Sequence, residues 1–475
     1  MAQVPPMASS GSLTGPAKLG AVTKLMDKLS EDLTAINLLP HQRDSALEEL
    51  KVYGRDPKDA DPIFTKQGIE TLTRHAFNSP SSTTSRNALR VLCNAMLLKP
   101  ETRQMFVDLG YEATACSKLK NDNRDDEFLI SRILFLTTYG TNIDLVSLIE
   151  KHHLAESIVQ NLERHAKAAG QPKTNPMEDM ALVETLKLLF NVTKFCSDHV
   201  DAFAAAIPHI LTILCKLGLP TTKTPLDPPF GPAINALMNL KLESRSAQAS
   251  LCPRNEPTSV ADRLIQLLDL AMKSYGESEV EHTVTPLICV LSSIHEHGPE
   301  SVRQHIRTKL LPTEQDRQDV LGRGHTLPAM LLRSSTNALA PELRKAITHL
   351  FFDMSDKDAS KFVNNVGYGF ASGFLFQNQI PIPQSASEAF SAGSGSAERP
   401  VNPVTGQFLD AENFPDMPEM SEEEKEREAE RLFVLFERLR ATGLVSVENP
   451  VQQAVQSGRF EELSDSDDDA AKDLD

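Results

Sequence analysis

The sequence predicts an all-α chain, an armadillo/HEAT-like right-handed superhelical solenoid that ends in a partly disordered acidic tail. From Leu19 onward apolar residues recur at the spacing of one helix face, and no strand-turn-strand pattern interrupts them. Composition agrees: aromatic residues make up 5% of the 475 and Trp is absent, whereas sheets draw on aromatic and β-branched side chains. The third observation is a repeat. The strings NALRVLCN, ETLKLLFN and PAINALMN end at Asn94, Asn191 and Asn239. They lie 97 and 48 residues apart, near two units and one unit of an array with a period of about 40–47 residues. SRILFLTT, ending at Thr138, stands where the skipped unit belongs, with Thr in place of Asn. About eight or nine units fit between residues 19 and 375.

In chain order, residues 1–18 are rich in Pro, Ser and Gly and read as a disordered arm, without the basic-then-apolar pattern of a signal peptide. Leu19, Val22, Leu25, Met26, Leu29, Leu33 and Ile36 mark one face of a first helix, which Pro40 stops. The solenoid runs from 19 to 376, broken by a polar loop at 168–176 and a Pro-rich one at 218–232. GYGFASGFLFQN, from Gly367, follows no strand and precedes no Lys-Ser/Thr, so it is expected to close the last repeat and not to cradle phosphate. Residues 377–420 read as a linker containing an NPVTG segment. Ser421 and Glu424 form a capping box that opens an amphipathic helix over 421–443, with Leu432, Phe433 and Phe436 in its apolar stripe. That stripe must be covered, by the chain's own solenoid or by a partner. Residues 444–475 read as an acidic disordered tail in which Ser464 and Ser466 each have Asp three residues on, as acidophilic casein-type kinases prefer. The alternative is an unmodified solubilising tail.

Charge narrows the function. The net charge is −17, of which residues 410–475, with 20 acids and 7 bases, hold −13. A near-neutral body with an acidic tail lacks the basic footprint that nucleic acid demands. Six scattered cysteines have no zinc-site spacing and read as buried small hydrophobes in a reducing compartment. No apolar stretch approaches the roughly 18 residues of a membrane span, so a cytosolic protein is expected. The thirteen histidines do not cluster with acids at useful intervals, and neither the adjacent His152 and His153 nor His295 and His297, two apart, share one helix face. No metal, cofactor or bond-making constellation emerges, and the sequence points to binding. The ladder residues Asn94, Asn191, Asn235 and Asn239, with Arg90, Arg132 and Lys187, are the candidates. An amide carries both donor and acceptor and, on the third helix of an armadillo unit, meets a ligand on the concave face. The alternative is that these residues cap or bridge neighbouring turns.

Several strings together resemble one family, the synembryns, in a fungal-type form. They are ALRVLCN at 88–94 with KPETR at 99–103, FLISRILFLTT at 128–138, and NPVTG at 402–406 leading to MSEEEK at 420–425. The resemblance implies a cytosolic guanine-nucleotide exchange factor and folding chaperone for G-protein α subunits, GDP-bound and nucleotide-free, working as a monomer. It further implies that the solenoid takes the C-terminal helix of Gα and that a following segment, here carrying Leu432, Phe433 and Phe436, supports the GTPase domain. The Ser464/Ser466 stretch resembles the family's phosphorylated acidic segment, placed here at the end of the chain. The competing reading is a nuclear-import type adaptor, whose Asn ladder is paired with groove Trp residues that this chain lacks.

Overall fold

In a computed structural model of the chain, the residues described are 13–171, 176–381, 401–402 and 404–412, with Ser421, Arg427, Glu430, Arg431, Phe433 and Val434. The chain divides into two units, Met1–Ala411 and Glu412–Asp475.

The first unit is a succession of helices: α1 Gly15–Ala35, α2 Pro40–Tyr53, α3 Lys66–Asn78, α4 Ser82–Leu98, α5 Glu101–Val107, α6 Glu112–Lys118 and α7 Arg124–Thr137. Then come α8 Leu145–His152, α9 Leu154–Ala168, α10 Met177–Phe195, α11 Ala206–Lys216, α12 Phe230–Met238, α13 Arg245–Leu251 and α14 Ser259–Ser274. The last are α15 Glu277–His297, α16 Glu300–Leu310, α17 Leu327–Ser334, α18 Pro341–Met354, α19 Ala359–Val366 and α20 Tyr368–Gln377. Among the described residues the only bridge of β type joins Val401 to Phe408. The all-α solenoid is therefore the fold.

Local chemistry sets the helix starts. Side chains of Thr65, Ser81, Asn123, Asp144, Ser244, Thr326 and Asp358 each accept a hydrogen bond from a first-turn N–H, satisfying donors the helix itself leaves free. Pro40 sits at the start of α2, where its missing N–H costs nothing. In α1 the expected face is buried at Val22, Met26 and Leu29, but Leu19 is half exposed and Ile36 is 78% exposed. Ile36 is the left-handed residue that ends the helix, so its side chain leaves the stripe that its spacing assigns it to.

Packing is helix on helix in two layers. An inner row places α4 against α7, α7 against α10, α10 against α12, α12 against α15 and α15 against α18. Behind it α9 packs on α11, α11 on α13 and α14, and α14 on α17. A single apolar cluster runs from Val22 to Leu375, with Leu89, Ile133, Leu189, Leu237, Leu291 and Leu350 almost wholly buried from the inner row. The second break in the array is pinned where the Tyr275 hydroxyl accepts from the Leu226 N–H at 2.9 Å. The NPVTG segment, grouped with the linker on sequence grounds, belongs to the first unit and packs on its end.

One buried charge joins three helices. Glu127 of α7 is buried and accepts from His165 of α9 (2.8 Å) and from the Thr185 hydroxyl of α10 (2.9 Å), with Arg124 and Arg164 at 3.3 and 3.4 Å. Burial pushes its carboxyl pKa up, but the hydrogen bond and charge of His165, the Thr185 hydroxyl and the Arg164 charge outweigh it and hold the pKa below 4.5. A carboxyl with a depressed folded pKa contributes stability that is complete above its unfolded value and lost as pH falls through the folded one. Glu127→Ala is therefore expected to cost about 3–5 kcal/mol in urea unfolding at pH 7. As pH falls through the folded pKa of Glu127 the gap between wild type and variant narrows, and a gap that stays constant from pH 7 down to the acid limit of folding rejects the assignment.

Candidate functional site

The inner row buries its flanks against neighbouring helices and leaves one stripe of each helix uncovered. Residues three and four apart share that stripe. On α4 it carries Arg86, Arg90 and Asn94; on α7 it carries Phe128, Arg132 and Phe135, with Tyr139 just beyond. On α10 it carries Val183, Lys187, Phe190 and Lys194, and on α12 Asn235 and Met238 with Asn239 at the end. All of these are half-buried or exposed.

The cations on this face are held from below. Arg86 makes a two-pronged contact with Asp126 (2.7 and 3.2 Å), and Arg90 bonds Asp125 at 2.9 Å and Asn87 at 3.0 Å, both stitching α4 to α7. Arg132 of α7 and Lys187 of α10 reach the same Glu184 oxygen, at 3.4 and 3.1 Å. The cations also lie over aromatic faces: Arg132 over Phe128 at 5.6 Å, Lys187 over Phe135 at 5.9 Å and Lys194 over Phe190 at 5.8 Å. Partly exposed pairs add little stability. Their effect is to orient side chains that would otherwise sample many rotamers, which lowers the entropy lost when a ligand binds.

The amides divide into two kinds. Asn191 is buried; it donates to the Thr138 hydroxyl at 2.7 Å and accepts from the Tyr139 hydroxyl at 3.3 Å. Asn239 donates to the Phe190 carbonyl at 3.0 Å. Each therefore braces its helix against the end of the preceding inner helix, and Thr138, in the position that lacks Asn, supplies the acceptor. Asn94 and Asn235 are half-buried and have no hydrogen-bond partner among the described residues. Phe433 is 38% exposed on a helical stretch of the second unit, while Leu432, Phe436, Ser464 and Ser466 lie outside the described residues.

Sequence spacing alone did not single out Phe128, Phe135, Tyr139, Phe190, Arg86 and Lys194. The available signal was position: Phe128 and Phe135 flank Arg132 by one helical turn, and Phe190 follows Lys187 by three. Chemically the face offers planar cations, ring faces and open amides, which suit a peptide. Cys93 lies beneath it, but burial pushes its thiol up to about 12, so it stays a protonated packing residue. A separate polar cavity of about 310 Å³ between α15, α16 and α18 holds buried His295, whose pKa is pushed down to about 4 by burial and by Arg307 and Arg303. There Arg303, Arg307 and Lys357 are already matched by Glu300, Asp356, Glu296 and Asp353.

Comparison with known proteins gives a family. Residues 46–459 match the model of a family described as guanine nucleotide exchange factor synembryn. The chain is 25% identical over 383 residues to a synembryn-like chaperone of Schizosaccharomyces pombe, covering 76% of this chain and 70% of the relative. It is 24% identical to chaperone Ric-8A of Macaca fascicularis over 449 residues, covering 87% and 84% of the two chains. With chaperone Ric-8A of Xenopus tropicalis the identity is 25% over 450 residues, covering 85% and 82%.

The split among the amides has a direct test. Asn191→Ala strands buried partners and is expected to cost about 1–3 kcal/mol in urea unfolding. Asn94→Ala, which breaks no bond, is expected to change stability by less than about 0.5 kcal/mol. Equal costs reject the division into braces and open amides.

Proposed function

The chain belongs to the synembryn family, and from that premise we propose that it is a guanine-nucleotide exchange factor and folding chaperone for G-protein α subunits. The observation that carries the proposal is the uncovered face of α4, α7, α10 and α12, where oriented cations, ring faces and the two open amides of Asn94 and Asn235 line up across successive repeats. In this reading the face takes the C-terminal helix of Gα. Arg90, Arg132 and Lys187 meet acidic groups, Asn94 and Asn235 meet exposed backbone at the helix end, and Asn191 and Asn239 act by holding the row in register. Phe433, with Leu432 and Phe436, then supports the GTPase domain. The protein works in the cytosol as a monomer, and Ser464 and Ser466 are acceptors for a casein-type kinase, which mass spectrometry of kinase-treated protein checks.

Exchange of this kind makes and breaks no covalent bond. A factor that binds nucleotide-free Gα about 100-fold more tightly than the GDP form lowers GDP affinity by the same 100-fold, about 2.7 kcal/mol. Detaching the C-terminal helix of Gα and holding it on the solenoid is a way to gain that difference while leaving the nucleotide site open to GTP. The same grip on a nucleotide-free subunit protects a folding intermediate, so exchange and chaperoning share one physical basis.

GDP release from purified Gα subunits is expected to accelerate in the presence of the full chain. Asn94→Ala and Arg90→Ala are each expected to weaken Gα binding about 5–20-fold, as for loss of one hydrogen bond to a charged or buried group, with the unfolding midpoint little changed. No acceleration with any Gα rejects the function, and normal binding by both variants rejects the face.

A further inference from the structure

Residues 401–411 form a small clamp at the end of the solenoid. Val401 and Phe408 pair in antiparallel fashion, the Asn402 N–H donates to the Gln407 carbonyl at 2.7 Å, and the Gly406 N–H donates to the Asn402 carbonyl at 2.8 Å. The Asn402 side-chain oxygen accepts from the N–H groups of Val404 and Thr405, at 2.9 and 3.2 Å, which shapes the turn. The hairpin is then bonded to the body: Leu321 N–H to the Thr405 carbonyl (3.1 Å), Gly369 N–H to the Val404 carbonyl (3.2 Å) and Phe408 N–H to the Arg317 carbonyl (2.9 Å). Two glycines make the approach possible. Gly367 has φ +82° and a Cβ there would lie 3.3 Å from the Gly406 nitrogen; Gly406 has φ +71° and a Cβ there would overlap the Leu321 side chain.

Arg317 is the centre of the clamp. Its guanidinium donates to the Gly406 carbonyl at 2.9 Å and to the carbonyls of Asn364 and Asn365 at 2.8 and 3.0 Å, the last turn of α19. A planar fork thus satisfies the carbonyl end of one helix and the turn of the hairpin together. Burial lowers the Arg317 pKa, as expected of a cation taken out of water.

The clamp lies between two parts of the chain that the proposed function uses separately. α20 ends at Gln377, the hairpin ends at Ala411, and the amphipathic stretch begins at Ser421. We infer that Arg317 is a positioning residue for exchange: by locking residues 401–411 to the end of the solenoid it fixes the point from which the chain runs on to residue 421. This inference rests on the proposed function. With the hairpin docked, the last anchored residue before residue 421 is at 411; with it undocked, the last is at 381. A nearer anchor raises the effective concentration at which the following segment meets the bound GTPase domain, so opening the clamp lowers it. The inner face, far along the chain from Arg317, is not affected.

The experiment uses full-length wild type, Arg317→Ala and Gly406→Ala, the last opening the clamp without removing the cation. Three quantities are read: hydrogen exchange at the amides of 404–408, binding of a synthetic peptide of the Gα C-terminal helix, and GDP release from intact Gα. In both variants the hairpin amides are expected to exchange faster, peptide affinity to stay within about twofold, and GDP release to slow about threefold or more. Unchanged GDP release with an open hairpin overturns the inference. So does a parallel loss of peptide binding, which marks Arg317 as support for the solenoid as a whole. If wild type neither binds the peptide nor releases GDP, the proposed function itself has failed, and the inference falls with it.

Discussion

No repeat of this chain can bury its own apolar surface, and the rest of the structure follows from that constraint. An inner helix such as α10 has Leu186, Leu188, Leu189 and Val192 fully buried, which requires α7 on one flank and α12 on the other. Each Leu buried in this way contributes about 1.5–3 kcal/mol relative to exposure. The row extends because every added helix presents the same unsatisfied flank to the next, and stability becomes a sum of nearest-neighbour interfaces. The uncovered stripe is what remains when both flanks are taken, so a long, regular open face is a by-product of how the core is made.

Polar groups set the register of that row. A slip between α7 and α10 would leave Glu127 buried without His165 and Thr185, and Asn191 without Thr138. Unpaired buried groups of this kind cost more than their pairing gains, so they act chiefly against wrong alignments. The ion pairs of Arg86, Arg90 and Arg132 lie nearer to solvent and are weaker. They hold the guanidinium planes of the face in fixed orientations, that of Arg132 over the Phe128 ring.

Much of this was legible in the sequence, for reasons that differ by residue. Val22, Met26 and Leu29 announced themselves by helical spacing, because burial on a helix is a local periodic property. The recurrence of Asn94, Asn191 and Asn239 marked the inner row because equivalent repeats place equivalent residues. What spacing does not carry is the neighbour. Asn94 and Asn191 look alike in sequence, yet only Asn191 has Thr138 and Tyr139 beside it, 53 and 52 residues away along the chain. The docking of the NPVTG segment depends on Arg317, 89 residues before Gly406, and on positive φ at Gly367 and Gly406. Ile36 shows the opposite failure, a residue with the right spacing whose backbone has already left the helix.

Under the proposed function the uncovered stripe is the surface that meets Gα. Hydrogen exchange of the full-length protein, with and without a saturating peptide of the Gα C-terminal helix, tests it most directly. Protection is expected in peptides spanning α4, α7, α10 and α12, with α9, α11 and α14 behind them unchanged. Protection confined to the second layer or to the end near α19 and α20, with the inner row unaffected, would contradict the account.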